Sequence, residues 1–397
     1  MNIGIYGGTF DPPHRGHIAA AKAAMSALHL DRLLLIPDAV PPHKALPEGS
    51  PTAQQRCDMT VLATAELGKR AEVSDMELRR TGASYTADTL TTLREQYPED
   101  TLYLLMGTDM FLSLQSWRQP ERIAALAHIA PFRREREDDP AAFAAQKERL
   151  ERDYGASVTV VPNPDVVDIS STEVRAALAQ GRGEDMLPPA VWGYICRERL
   201  YGTHTDLKRL TPDELRPVAL SYLKPKRMPH VLGTEQEAVR LAERYGADVT
   251  KARVAALLHD CTKKLDMAEQ LALCERYRIP LDELERKALK LLHSKTGAAI
   301  ARDVFAVDDE VYNAILYHTT GKPDMTLLEK IIYLADYIEP TRDFPGVEEL
   351  RRTVYEDLDR GLLLGLTMTI QEMEELGNPV HHMTRDARDY LMKRGIS

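Results

Sequence analysis

The chain begins with an apolar run, Asn2–Tyr6, that leads directly into Gly7-Gly8-Thr9-Phe10-Asp11-Pro12-Pro13-His14-Arg15-Gly16-His17. The run reads as a buried strand, and the residues after Gly16 read as an amphipathic helix. Gly7 and Gly8 end the strand without side chains, so backbone N–H groups can approach an anion closely. The helix that follows carries exposed N–H donors and a partial positive charge at its start. His14 and His17 lie three apart and project toward one anion. A strand-turn-helix of this kind is expected to hold a phosphate beyond the carboxyl end of the strand.

Outward from that turn, short apolar strands alternate with helical patterns. Strands are expected at Asn2–Gly7, Arg32–Pro37, Ala71–Asp75, Thr101–Gly107, His128–Phe132 and Val158–Pro162. Helical patterns near 17–30, 53–67, 85–97, 140–153 and 171–180 separate them. This order predicts an α/β Rossmann-like domain, a parallel sheet flanked by helices. Ligands in such sheets bind beyond the carboxyl ends of the strands. Gly107-Thr108-Asp109 and Ile169-Ser170-Ser171-Thr172 both follow strand-like runs and are expected to face the same crevice.

The pattern changes near residue 202. Tyr201–Leu210 lacks an apolar period, so domains are expected at 1–202 and 211–397, with 203–210 as a linker. Helical patterns then dominate at Glu235–Tyr245, Lys251–His259, Ala268–Tyr277, Glu310–His318, Leu327–Glu339 and Val347–Glu375. An all-α domain follows. Among these patterns stand His230, His259, Asp260, His293, His318 and Asp336, six good ligands for first-row metals. Imidazole suits Fe, Mn and Zn, and a carboxylate can bridge two ions. Singly, each histidine reads better as a core or surface residue; the complete spacing carries the metal reading.

Bulk properties agree with two enzymes of small molecules. A length of 397 residues suits two domains. At 44% hydrophobic and 28% charged the chain can bury real cores. The net charge of −10 comes with no basic tail, which argues against duplex nucleic acid as a partner. Cys57, Cys196, Cys261 and Cys274 are scattered, as in reduced cytosolic proteins. With no signal peptide and no spanning apolar stretch, a cytoplasmic protein without membrane contact is expected. The sequence is compatible with a homo-oligomer.

Two resemblances sharpen this. Residues 1–202 resemble the HxGH nucleotidylyltransferase superfamily and, within it, bacterial nicotinate-nucleotide adenylyltransferase. The first motif is joined by Val40-Pro41-Pro42-His43-Lys44, Ser84-Tyr85-Thr86-Ala87-Asp88-Thr89-Leu90, Gly107-Thr108-Asp109 with Trp117, and Ile169-Ser170-Ser171-Thr172-Glu173-Val174-Arg175. The family's Arg-Pro-Gly turn is replaced by Phe132-Arg133-Arg134-Glu135-Arg136, and Arg134 is its counterpart. The resemblance implies transfer of AMP from ATP to nicotinate mononucleotide, giving deamido-NAD and pyrophosphate, with Mg²⁺ on the ATP. His14, His17, Lys44 and Arg175 would position and neutralise phosphates. ATP would contact Gly7, Gly8, Thr9, Phe10, Gly107, Asp109, Ile169, Ser170, Ser171 and Thr172. Nicotinate mononucleotide would contact Lys44, Ser84, Tyr85, Thr86, Trp117 and Arg134. Another phosphomonoester, such as phosphopantetheine, is the alternative acceptor.

Residues 211–390 resemble HD-domain phosphohydrolases, and among them the symmetrical bis(5′-nucleosyl)-tetraphosphatases. Beyond His259-Asp260, the match rests on Tyr317-His318-Thr319-Thr320-Gly321, on Glu329–Pro340 and on Arg342-Asp343-Phe344-Pro345-Gly346-Val347. It implies a di-metal centre, iron with manganese as the alternative, held by His230, His259, Asp260, His293, His318 and Asp336. Asp260 would bridge, and Lys263 and Arg342 would contact polyphosphate. The implied reaction is cleavage of diadenosine tetraphosphate into two ADP. A different nucleotide substrate, or a nucleotide-sensing role without turnover, is the alternative.

Overall fold

The computed structural model describes residues 1–41, 46–133, 139–162 and 167–396. They fall into two compact units, Met1–Thr205 and Asp206–Ser397. Among the described residues, no helix is long and apolar enough to cross a membrane.

The first unit is built on five parallel strands: β1 (Asn2–Gly8), β2 (Arg32–Pro37), β3 (Ala71–Val73), β4 (Thr101–Gly107) and β5 (His128–Phe132). Their order is β3-β2-β1-β4-β5. The order reverses between β1 and β4, which is where an open α/β sheet forms its ligand crevice. Helices α1 (Arg15–Ala27), α2 (Ala53–Ala63), α3 (Thr86–Gln96), α4 (Thr108–Ser113), α5 (Pro120–Leu126), α6 (Pro140–Tyr154), α7 (Ser171–Leu178) and α8 (Pro189–Glu198) connect and cover it. Ile3, Ile5, Leu34, Leu104, Met106 and Ile129 of the strands pack with Leu90, Leu93 and Phe111 in one core. Each such side chain contributes about 1.5–3 kcal/mol by leaving water.

The strand expected at Val158–Pro162 is reduced to two isolated bridges, Ile129 to Val158 and Phe132 to Val161. Pro131 explains this. Thr159 N–H donates to Ile129 O (2.9 Å), and Val161 N–H donates to Pro131 O (2.8 Å). The return bond would need an N–H that proline lacks. The third strand also stops at Val73, two residues short of the expected end.

The second unit is helical: α9 (Pro212–Leu220), α10 (Met228–Tyr245), α11 (Val249–Leu258), α12 (Met267–Arg276), α13 (Leu289–Phe305), α14 (Asp309–Tyr317), α15 (Leu327–Ile338), α16 (Val347–Glu356), α17 (Leu358–Glu375) and α18 (His382–Lys393). α10 starts seven residues before the expected Glu235. Pro229 sits in its first turn, where a missing N–H costs nothing. The single helix expected over Val347–Glu375 is two. Asp357 adopts an extended backbone and its carboxylate accepts from Asp359 N–H and Arg360 N–H, which starts a new helix. α13, which carries His293, has no counterpart among the expected helices.

Candidate functional site

In the first unit a cavity of about 380 Å³ opens at the carboxyl ends of β1 and β4. His14 is the residue before α1, and its ring lies 3.8 Å from that of His17. The backbone N–H of His14 donates to Nδ1 of His17 at 3.2 Å. In a neutral His17 the ring hydrogen therefore sits on Nε2, a donor suited to a phosphate oxygen. Phe10 supports that ring edge-on at 5.2 Å. To do so it takes a left-handed backbone, φ 47°, which costs a non-glycine residue roughly 1–3 kcal/mol. Gly16 gives the same packing its room. A Cβ there would stand 3.0 Å from His14 Nδ1 and 3.1 Å from Val167 O.

Behind the turn, Arg56 is fully buried and anchors it. Its guanidinium donates to Thr9 O (2.6 Å), Asp38 Oδ1 (3.0 Å), Asp38 O and Ala39 O. Thr9 Oγ1 donates to the other Asp38 oxygen at 2.9 Å. Nothing in the motif announced Arg56; a cation on the apolar face of the 53–67 pattern was the available signal.

Gly7, Gly8, Thr9, Phe10, His14, His17, Gly107, Ile169 and Ser171 all line the cavity, as do Ser84, Tyr85, Thr86 and Trp117. Asp109 is exposed at the start of α4 and is not among the lining residues. Ser170 and Thr172 are not among them either. The Ser170 hydroxyl accepts from Glu173 N–H as the cap of α7. Arg175 donates to Asp11 O at 2.7 Å and to Thr172 Oγ1 at 3.2 Å. Lys44 and Arg134 lie outside the described residues.

Among the lining residues, Arg118 and Glu77 were not singled out in the sequence, and Arg133 stood there only beside Arg134. Arg118 lies 4.4 Å over the Tyr85 ring and Arg133 reaches the same space. Glu77 is a buried acid that accepts from Thr89 Oγ1 at 2.6 Å. Burial pushes its pKa above the ordinary carboxyl value, despite the Thr89 hydrogen bond and nearby Arg80.

In the second unit the six expected ligands converge from five places in the chain. His230 comes from the first turn of α10, and His259 and Asp260 from the end of α11. His293 lies in α13, His318 at the end of α14 and Asp336 in α15. Three overlapping trios, His230/His259/Asp260, Asp260/His293/His318 and His259/His318/Asp336, each bring ligand atoms within 4.8 Å of one another.

Local bonds fix the rings. Nδ1 of His259 faces Ala256 O at 2.6 Å, and Nδ1 of His318 faces Ile315 O at 2.7 Å. Both rings thus donate from Nδ1 to a carbonyl three residues back and turn an Nε2 lone pair into the cluster, the arrangement of metal-bound histidine. The Nε2 atoms stand in two close pairs, His230 with His259 at 3.4 Å and His293 with His318 at 3.0 Å. Asp260 lies between the pairs. Its Oδ2 is 3.5 Å from His259 and 3.8 Å from His230; its Oδ1 is 3.2 Å from His293 and 3.9 Å from His318. Oδ1 is buried without a hydrogen bond. A carboxylate with each oxygen toward a different imidazole pair fits two cations bridged by one residue.

The charges agree. Burial pushes His293 and His318 down to about 4 and lowers His259, so these rings are neutral at pH 7, as metal ligation would need. Burial alone would raise Asp260, but His259, His293 and Lys263 outweigh it and hold the carboxylate well below its usual range. Arg227 donates to Asp260 Oδ2 at 2.5 Å. Arg342 donates to Asp336 Oδ1 at 2.7 Å, and Lys263 Nζ lies 2.9 Å from His293 Nε2. Neither Arg227 nor Glu339, which faces the back of His230, is assigned a role by the sequence pattern.

Comparison with known proteins follows the same division. A cytidylyltransferase-like family model matches residues 5–177 and an HD domain model matches residues 227–341. A probable nicotinate-nucleotide adenylyltransferase of Shewanella sp. (strain ANA-3) is 38% identical over 215 residues, 51% of this chain and 99% of that protein. A symmetrical bis(5′-nucleosyl)-tetraphosphatase of Bacillus subtilis is 40% identical over 170 residues, 42% of this chain and 91% of that protein. The crystal structure of a predicted HD superfamily hydrolase involved in NAD metabolism from Clostridium acetobutylicum shares 43% identity. It covers 47% of this chain and 98% of that one, with a TM-score of 0.45. The chain therefore belongs to two families in tandem, the nicotinate-nucleotide adenylyltransferases over its first half and the HD-domain symmetrical bis(5′-nucleosyl)-tetraphosphatases over its second.

Proposed function

We propose that the chain is a bifunctional enzyme that makes deamido-NAD in its first unit and cleaves diadenosine tetraphosphate in its second. The first reading is carried by the His17 ring, fixed with its Nε2 hydrogen at the start of α1 beside a cavity that also holds Trp117 and Tyr85. A 5′-phosphate oxygen of nicotinate mononucleotide attacks the α-phosphorus of ATP in line. One P–O bond forms, the bond to the β-phosphate oxygen breaks, and pyrophosphate leaves. No protein nucleophile is needed. His14, His17 and the N–H groups of α1 donate to the charge that grows on the α-phosphate. Lys44 and Arg175 neutralise the polyphosphate, and Mg²⁺ arrives on ATP. Trp117 offers a flat face to the pyridine ring, with Ser84, Tyr85 and Thr86 at its edge. In the test, nicotinate mononucleotide gives equal yields of deamido-NAD and pyrophosphate with ATP. Turnover of phosphopantetheine in its place overturns the acceptor.

The second reading is carried by the placement of Asp260 between two imidazole pairs. His230, His259, Asp260, His293, His318 and Asp336 would hold two divalent cations, iron or manganese. Bound there, the cations supply Lewis acidity to a phosphoryl group and to the water that attacks it. Lys263, Arg227 and Arg342 surround the same point and neutralise the tetraphosphate. Cleavage at the central anhydride adds one water and releases two ADP. An anaerobic, iron-reconstituted reaction tests this: ADP alone supports it. AMP with ATP overturns symmetrical cleavage, and no turnover with metal bound favours a sensing role. The four cysteines are buried and free, which supports a reducing, cytoplasmic setting.

A further inference from the structure

A third group of potential ligands, Asp282, His381 and His382, brings its atoms within 4.8 Å of one another. It shares no residue with the HD centre. Asp282 and Glu285 lie in the turn between α12 and α13; His381 caps α18, and His382 is its first residue. The two acids bind each other reciprocally. Asp282 Oδ1 accepts from Glu285 N–H at 2.8 Å, and Glu285 Oε2 accepts from Asp282 N–H at 2.9 Å. That leaves one oxygen on each, and both face His381. Nε2 of His381 stands 3.2 Å from Asp282 Oδ2 and 3.3 Å from Glu285 Oε1. His382 Nδ1 stands 3.7 Å from the same Asp282 oxygen.

His381 is 7% exposed, and its Nε2 makes no hydrogen bond despite two oxygens so near. The spacing is that of ligands around a common ion. Atoms about 2.05 Å from one tetrahedral zinc stand roughly 3.3 Å apart. The charges are suited as well. Lys295 Nζ lies 2.6 Å from Glu285 Oε1, so Glu285 is already paired, while Asp282 has an uncommitted oxygen.

We propose that Asp282, His381 and His382 form a further metal site, for a zinc-class divalent cation, that ties the start of α18 to the 282–285 turn. Asp282 supplies Oδ2, His381 supplies Nε2 and His382 supplies Nδ1, with the fourth position left to water. Capture at Nε2 releases its proton to solvent, and Nδ1 takes one in exchange. The ring stays neutral and gives up the long 3.3 Å bond from Met383 N–H. Imidazole and carboxylate together suit zinc, and they disfavour magnesium and calcium, which prefer oxygen alone.

The test counts metal on the full chain. Parent, Asp282→Asn and His382→Ala proteins are stripped of metal, dialysed against buffered Zn²⁺ and assayed for zinc per chain. The HD centre contributes equally to all three, so the difference isolates this site. Asparagine keeps the capping oxygen of residue 282, and His382 is exposed, so both variants fold. Each variant is expected to carry one zinc fewer than the parent. Equal counts in parent and both variants overturn the site.

Discussion

Glu339 Oε1 lies 3.0 Å from Nδ1 of His230, across a helix face where only glycine fits. A Cβ on Gly233 would stand 2.4 Å from the other Glu339 oxygen. The carboxylate is itself held by Thr341, through its N–H and its hydroxyl. It thus orients His230 so that Nε2 faces Asp336 Oδ1 at 3.0 Å. Burial opposes a charge on His230, but Asp336 and Glu339 outweigh it and raise its pKa. Carboxylates behind a metal-bound imidazole fix its orientation and raise its basicity. Glu339→Gln is expected to weaken metal binding about 10–100-fold with the fold retained. Titration of the stripped protein with Mn²⁺ checks this, and an unchanged dissociation constant removes Glu339 from the centre.

Tyr201 donates to Asp11 Oδ1 at 2.6 Å, and Asp11 is 2% exposed. Ser50 Oγ donates to its other oxygen at 3.2 Å. Tyr201→Phe keeps the ring and deletes the donor. A buried carboxylate oxygen left without its partner costs about 1–3 kcal/mol. Trp117 and Trp192, the chain's 2 tryptophans, both lie in the first unit, so their fluorescence reports its unfolding alone. A loss below roughly 0.5 kcal/mol in urea, within the range of neutral surface changes, would mean Asp11 is satisfied elsewhere.

Glu77 gives a pH dependence with a definite sign. Its folded pKa is raised above the ordinary value of 4.5, chiefly by burial. The folded state therefore holds the proton to higher pH than the unfolded chain. Stability falls as pH rises from 4.5 to the folded value, by up to about 1.4 kcal/mol per pH unit, and is level above it. Glu77→Gln removes the charge and keeps an acceptor for Thr89. The variant should match the parent in acid and exceed it at neutral pH, by the same tryptophan signal. A difference independent of pH would refute the assignment.

The parts of this molecule that are local in sequence were the legible ones. β2, β4 and β5 have the expected bounds, because each is a short apolar run. The six residues that converge in the second unit stood out in the sequence by their spacing as a set, since singly each reads as a core or surface residue. α13 was missed because His293, Ser294, Thr296, Gly297 and three alanines separate the large apolar residues of its buried face, Leu292 and Phe305. Gly297 lets that face approach His259 O, where a Cβ would stand at 3.3 Å. Glu339 was missed for another reason. Its bond to His230 spans 109 residues, and neither residue's neighbours encode it. Pro131 was visible in the sequence, but its effect depends on which strand lies beside it.

The first site allows geometry and chemistry to be separated in adjacent residues. His17→Ala removes the donor proposed to meet the phosphate; loss of one such donor costs about 10²–10³ in kcat. Its neighbour Gly16 has no side chain to lose. A Cβ there meets His14 Nδ1 at 3.0 Å and Val167 O at 3.1 Å, so the ring must give by a few tenths of an ångström. Misplacement by about 1 Å is worth up to 10²-fold, so Gly16→Ala should lower kcat roughly tenfold. KM for ATP should change less than kcat in both variants, because the contacts matter most once charge builds on the α-phosphate. Steady-state rates of pyrophosphate release separate the outcomes. If Gly16→Ala matched the parent while His17→Ala was crippled, His17 would act without His14. If both matched the parent, the α1 turn would bind ATP without stabilising its transfer.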